Sequence, residues 1–173
     1  MGLLNRFYVA AERSLDSEAL DERFDVLFHH LVKATAWQES CWRQFVQRGD
    51  IVTALESRTG DVGLMQINVR IWRGFFTGAR LRWNAAYNAG AGAEILQQLL
   101  LRYGSREANP WVENAARATY SAYQGGPARY RRYRTATSTS PDGTIDRAFW
   151  QKYQAVAAGT AEEHVLCLPS RRT

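Results

Sequence analysis

The sequence predicts a mainly α domain, with helices framing a groove lined by a small hairpin or loop region. Three observations carry this. Leu20, Phe24, Leu27, Phe28, Leu31, Val32 and Thr35 recur at steps of three and four, the apolar stripe of a long amphipathic helix. Gly92, Ile95, Leu96, Leu99, Leu100 and Tyr103 repeat the pattern in a second helix. Between them, Ile51-Val52-Thr53 and Gly60-Asp61-Val62-Gly63 mix strand-formers with turn residues in runs too short for helices.

Taken in order, the first helix is expected over 17–47, capped by Asp16 or Ser17 and ended by Gly49-Asp50. A short strand or hairpin arm follows at Ile51 to Thr53. The second helix is expected over 88–103, with Gly104 placed to stop it. The third spans 114–123 and closes at Gly125-Gly126-Pro127, and a fourth runs from Ala128 to Thr135. A Ser/Thr-rich loop occupies 135–144. Ile145, Phe149, Tyr153 and Val156 give a last helix expected to pack back on the core. The organisation is therefore a lead-in over 1–16, one domain over 17–134, the loop, and a C-terminal helix with tail over 145–173.

Bulk properties bound the function. A chain of 173 residues with 46% hydrophobic content suits one domain with a real core. No apolar run approaches a membrane span. The start, Met1 to Phe7, lacks a basic region followed by an apolar core, so no signal peptide is expected. A net charge of +5 favours anionic partners. The run from Arg129 to Arg134 interleaves Arg with Tyr. It reads as a solvated helix face over packed tyrosines, and no nucleic-acid partner is expected. Cys41 and Cys167 admit either a disulfide or two free thiols. His29, His30 and His164 have no ligand spacing, so neither metal nor cofactor is expected.

One residue breaks the pattern. Glu39 falls four residues after Thr35, on the apolar stripe, and Trp37 and Trp42 flank it. Trp42 and Phe45 or Val46 are expected to carry the stripe onward. A carboxyl group held on a buried face is desolvated, which raises its pKa and keeps a proton available near neutral pH. The bland alternative is an ion pair with Arg43 or Arg48, or a side chain at the stripe's edge reaching water.

Three separated patterns decide between these. Glu39-Ser40 comes late in a long helix. Ser57-x-x-Gly60-x-x-Gly63-Leu64-Met65-Gln66-Ile67 follows, and then Ala122-Tyr123-Gln124-Gly125-Gly126-Pro127. In this order, with Asn88 to Leu96 matching a helix element between the last two, the chain resembles the lysozyme-like domain of soluble lytic transglycosylases, shared with goose-type lysozymes. The resemblance covers about residues 27–133. Ala86-Tyr87-Asn88-Ala89-Gly90 spells the tyrosine motif more closely, but it lies too soon after Gln66 and runs straight into the second helix. The tyrosine is therefore assigned to Tyr123 rather than Tyr87. Gln124 stands where the family has Asn, and Asn68-Val69 stands where it has Met-Pro. The gap from Glu39 to Ser57 is longer than usual, so an enlarged loop is expected there.

The resemblance implies an α+β lysozyme-like fold with a glycan-binding groove. It implies cleavage of the β-1,4 bond between N-acetylmuramic acid and N-acetylglucosamine in peptidoglycan, leaving a 1,6-anhydromuramoyl end. Glu39 would be the sole acid/base. Ser57, Met65, Gln66, Asn68 and Tyr123 would be the substrate-binding set, with Tyr123 hydrogen-bonding the Glu39 carboxyl and Met65 and the tryptophans giving sugar faces an apolar platform. For Met65 and Ile67 plain core packing is the alternative, and for Ser57 a turn or cap. Glu56 or Asp61 could serve as a second carboxylate, making the protein a muramidase, and a non-catalytic glycan-binding domain is the third reading. The expected partner is the peptidoglycan strand, with cell-envelope machinery or a larger parent protein beside it. The expected location is the periplasm or cell envelope, by secretion, phage delivery or a non-standard route.

Overall fold

A computed structural model describes residues 22–137 and 139–164. Helix α1 (Glu22–Ser40) buries Phe24, Leu27, Phe28, Leu31 and Ala34. Two antiparallel ribbons follow: β1 (Phe45–Arg48) with β2 (Ile51–Ala54), and β3 (Asp61–Val62) with β4 (Ile67–Asn68). Next come α2 (Gly78–Trp83), α3 (Ala85–Arg102), α4 (Glu113–Gly125), the short α5 (Arg132–Thr135) and α6 (Pro141–Ala157). The last helix packs along α1, and α4 packs on α1, α3 and α6. The mainly α, lysozyme-like class expected from the sequence is the class observed.

The first helix is shorter than its stripe suggests. It ends at Ser40 because Cys41 and Trp42 take left-handed φ values of 53° and 55°. Their amides still find partners, Cys41 N on Trp37 O at 2.9 Å and Trp42 N on Ala36 O at 3.2 Å. Trp42 turns back, its ring nitrogen donating to Lys33 O at 3.0 Å. No glycine announces the stop, so periodicity alone overran it. Phe45 and Val46, expected on the helical stripe, lie in β1, and the β1–β2 ribbon fills the long interval between Glu39 and Ser57. Caps at Asp16 or Ser17 lie outside the described residues.

Other boundaries moved for local reasons. Helix α3 starts at Ala85 because the Asn84 side chain accepts from Tyr87 N at 2.9 Å. Helix α6 starts at Pro141, inside the expected loop, because Ser140 accepts from Gly143 N at 3.0 Å and proline suits the first turn. The fourth helix splits into a 3-10 turn at Pro127–Arg129 and α5. Helix α2 had no stripe to betray it; of its residues only Leu81 is buried.

Cys41 is disulfide-bonded, which corrects the free-thiol alternative. The other cysteine of the chain, Cys167, lies outside the described residues. No helix among the described residues is long and apolar enough to cross a membrane.

Candidate active site

The end of α1 is fastened to the segment after β3. Ser40 Oγ lies 2.6 Å from Leu64 O and 3.1 Å from Ala36 O. Gln44, just beyond the helix, accepts from Leu64 N at 2.9 Å and donates to Leu81 O and Arg82 O. Asn88 completes the lattice. Its side chain is wholly buried, accepting from Met65 N at 2.8 Å and donating to Val62 O and Leu81 O. These buried amides explain Gly63, which has φ 74° and whose Cβ would fall 2.5 Å from both Asn88 Nδ2 and Gln44 Oε1. The apparent tyrosine motif around Asn88 is thus a structural clamp, and the Tyr87 hydroxyl accepts from Thr77 N.

This clamp sets Glu39 into a cleft of about 510 Å³ that is also lined by Asp61, Gln66, Asn68, Trp72 and Tyr123. Burial raises the Glu39 pKa from 4.5 to about 7. The neighbouring Asp61 charge adds to the rise, and a hydrogen bond from Tyr120 opposes it. The Tyr120 hydroxyl donates to Glu39 Oε1 at 2.9 Å. The tyrosine holding the acid is therefore Tyr120, which corrects the hydrogen bond expected from Tyr123. Tyr123 lies one helical turn further along α4, lines the cleft, and donates to Met65 O at 2.6 Å. Spacing could have found Tyr120, since it shares a helix face with Tyr123.

Tyr120 is itself immobilised. Its ring stacks on Phe149 of α6 with centroids 3.9 Å apart and planes 5° apart. Below it, Arg132 binds Asp146 of α6 through Nε at 3.0 Å and a terminal nitrogen at 2.6 Å, and also donates to Gln124. That contact gives Gln124 a role in joining α4, α5 and α6. The neighbouring arginines are also engaged: Arg129 pairs with Asp142, and Arg131 and Arg134 pair with Glu107.

The opposite wall is polar. Asp61 accepts from Ser57 Oγ at 2.6 Å, Asn68 Nδ2 at 2.8 Å and the Thr59 hydroxyl. Burial works to raise its pKa, but these hydrogen bonds outweigh burial and hold the carboxyl below its ordinary value. Ser57 and Asn68, expected to bind substrate, are thus spent at least in part on orienting Asp61. Gln66 lines the cleft with φ 48°, its amide donating to Gly63 O. Met65 is a correction to the substrate-binding set. Its side chain is fully buried against Gly92, where an added Cβ would lie 2.4 Å from Met65 Cγ, and it offers no platform to a sugar. Trp72 lines the cleft instead, and the exposed Ile71 stands beside it. Glu56 gives both oxygens to Arg82, at 2.9 and 3.2 Å.

A helical domain that places one desolvated glutamate in an open cleft beside a short antiparallel ribbon defines a lysozyme-like domain. Residues 24–145 match the family model described as the transglycosylase SLT domain, and the chain belongs to that family. Searches of the curated proteins and of the solved structures returned no significant match. The family in general acts on peptidoglycan by lytic transglycosylation.

Proposed function

We propose that this protein is a peptidoglycan lytic transglycosylase in which Glu39 is the acid and then the base. The observation that carries the reading is the Glu39 carboxyl, raised to about 7 in the cleft and held by Tyr120. At neutral pH a substantial fraction is protonated and able to donate. Glu39 gives its proton to the glycosidic oxygen, and the bond from that oxygen to the muramic C1 breaks. The substrate's 2-acetamido oxygen stabilises the cation at C1. Glu39, now a carboxylate, takes the proton of the C6 hydroxyl, and O6 bonds to C1. The products are a free N-acetylglucosamine 4-hydroxyl and a 1,6-anhydromuramoyl end, with no water consumed. Gln66 and Tyr123 border the site where the central sugars bind, and Trp72 and Ile71 offer apolar faces. The reading places the protein's work in the cell envelope, where peptidoglycan lies.

Hydrolysis is the second reading, favoured by one observation: Asp61 lines the same cleft and is held ionised by Ser57, Thr59 and Asn68. A lowered carboxylate facing a raised carboxylic acid is the division of labour of a two-carboxylate glycosidase. Digestion of purified peptidoglycan with product mass spectrometry tests both. Anhydromuropeptides that vanish with Glu39→Gln support transglycosylation, and reducing muramic ends support hydrolysis. Equal release by wild type and Glu39→Gln removes the assignment altogether.

A further inference from the structure

The cleft around Glu39 does not end there. Glu39 and Gln66 also line an adjoining cleft of about 370 Å³ that includes Ser57, Arg43 and Lys152. Trp37 and Lys152 in turn line a third, of about 740 Å³, formed with α6. The middle cleft thus shares Glu39 and Gln66 with the first and Trp37 and Lys152 with the third. Lys152 is carried by α6, beyond the last residue of the family match.

The charge in this middle cleft is unbalanced. Lys152 Nζ donates to Gln38 Oε1 at 2.8 Å and sits 5.7 Å from the Trp37 ring, with no carboxylate partner among the described residues. Burial lowers its pKa. Arg43 donates through Nε to Ser40 O at 3.1 Å and likewise has no carboxylate partner among the described residues. The other charged groups of this cleft are Glu39 and Glu56, and Glu56 is already bound to Arg82. An ammonium and a guanidinium held beside the acid without counter-charges are a site for a carboxylate.

The glycan backbone offers none, because the lactyl carboxyl of muramic acid is consumed in its amide to the stem peptide. The stem peptide itself carries free carboxylates. We propose that Arg43 and Lys152 bind carboxylates of the stem peptide on the muramic acid next to the scissile bond, so that the protein selects peptide-bearing strands over bare glycan. This rests on the peptidoglycan-cleaving reading and adds to it the decorated form of the substrate.

The test compares intact strands with strands stripped of their stems by an amidase. Wild type should favour intact strands by roughly tenfold in kcat/KM, carried by KM and weakened by salt. Lys152→Met, which keeps the aliphatic stem, combined with Arg43→Gln should bring the ratio to about one, and Lys152→Arg should restore most of it. No preference in wild type overturns the proposal, as does a preference that survives the double variant. Equal losses on both substrates in a folded double variant also overturn it, since they mark a structural role. Equilibrium binding to Glu39→Gln reads the same ratio without cleavage. If the protein grips intact strands better but wild type never cuts, the cleavage reading fails and the stem site stands. Equal affinity for both strands, with cutting intact, does the reverse.

Discussion

Two carboxyl groups face one cleft, and their surroundings push them apart. Glu39, half-buried near the end of α1, meets a single hydroxyl, and desolvation raises it to about 7. Asp61, on the ribbon, is met by three side-chain donors and falls below its ordinary value. The helical side of the cleft removes water and supplies little in return, whereas the ribbon side replaces water with fixed hydrogen bonds. On the proposed mechanism, proton donation falls to the helical side, and any charge that stabilises a cation falls to the ribbon.

The sharpest way to break this contrast is to neutralise each side. Glu39→Gln should lower cleavage by on the order of a thousandfold with the far-UV spectrum unchanged. Asp61→Asn should cost only about tenfold if the protein is a transglycosylase. Its alkaline activity limb should also move to lower pH, because a negative neighbour that raises Glu39 is gone. A loss from Asp61→Asn as large as that from Glu39→Gln, with reducing ends among the wild-type products, would make Asp61 the partner of a hydrolase.

The support beneath the helical side comes next. Asp146→Ala removes the nearer of the two carboxylates that pair with the buried Arg132, leaving Asp142 at 3.5 Å, and should destabilise the fold by about 3 kcal/mol in denaturant unfolding. A loss below 1 kcal/mol would mean the pair does not anchor α6.

Glu39 itself weakens the fold as pH rises. Its folded pKa, about 7, lies above the ordinary 4.5, so the folded state holds the proton more tightly. Stability is full below about 4.5, declines between the two values, and is reduced by roughly 3 kcal/mol above 7. Glu39→Gln should therefore match wild type in acid and exceed it at pH 8. Urea titrations at pH 4 and pH 8 check this, and identical differences at both would remove the raised pKa.

The smallest effect is expected from Tyr120→Phe. It removes the hydrogen bond that opposes the rise, so the alkaline limb should move to higher pH while kcat falls about tenfold from lost orientation. No movement of the limb would place the holding of Glu39 elsewhere.

The sequence made much of this readable, for definite reasons. Apolar stripes located α1, α3 and α6, because helices bury one face and repeat every 3.6 residues, and Gly125-Gly126-Pro127 marked the end of α4. Glu39 stood out because a charge on such a stripe violates the pattern. Motif order pointed to the family. Three things stayed hidden. The stop at Cys41–Trp42 uses left-handed non-glycine residues whose amides and ring nitrogen fold back onto α1, and no glycine marks it. Met65 looked like a sugar platform, and only the close approach of Gly92 shows that it is core. Which tyrosine holds the acid was concealed: helical spacing offers Tyr120 beside Tyr123, but its partners, Glu39 and Phe149, are far from it in sequence and meet it only in the packed structure.

The stack of Tyr120 on Phe149 also bears on when the protein becomes chemically competent. A newly made chain carries residue 39 as a hydrated carboxylate that has lost its proton at neutral pH. The packing that returns the proton is complete only once α6 has seated against α1 and α4. On the proposed mechanism the acid therefore depends on α6, most of which follows the three motifs, and a chain broken off ahead of Phe149 would hold all three motifs without the packing that raises Glu39.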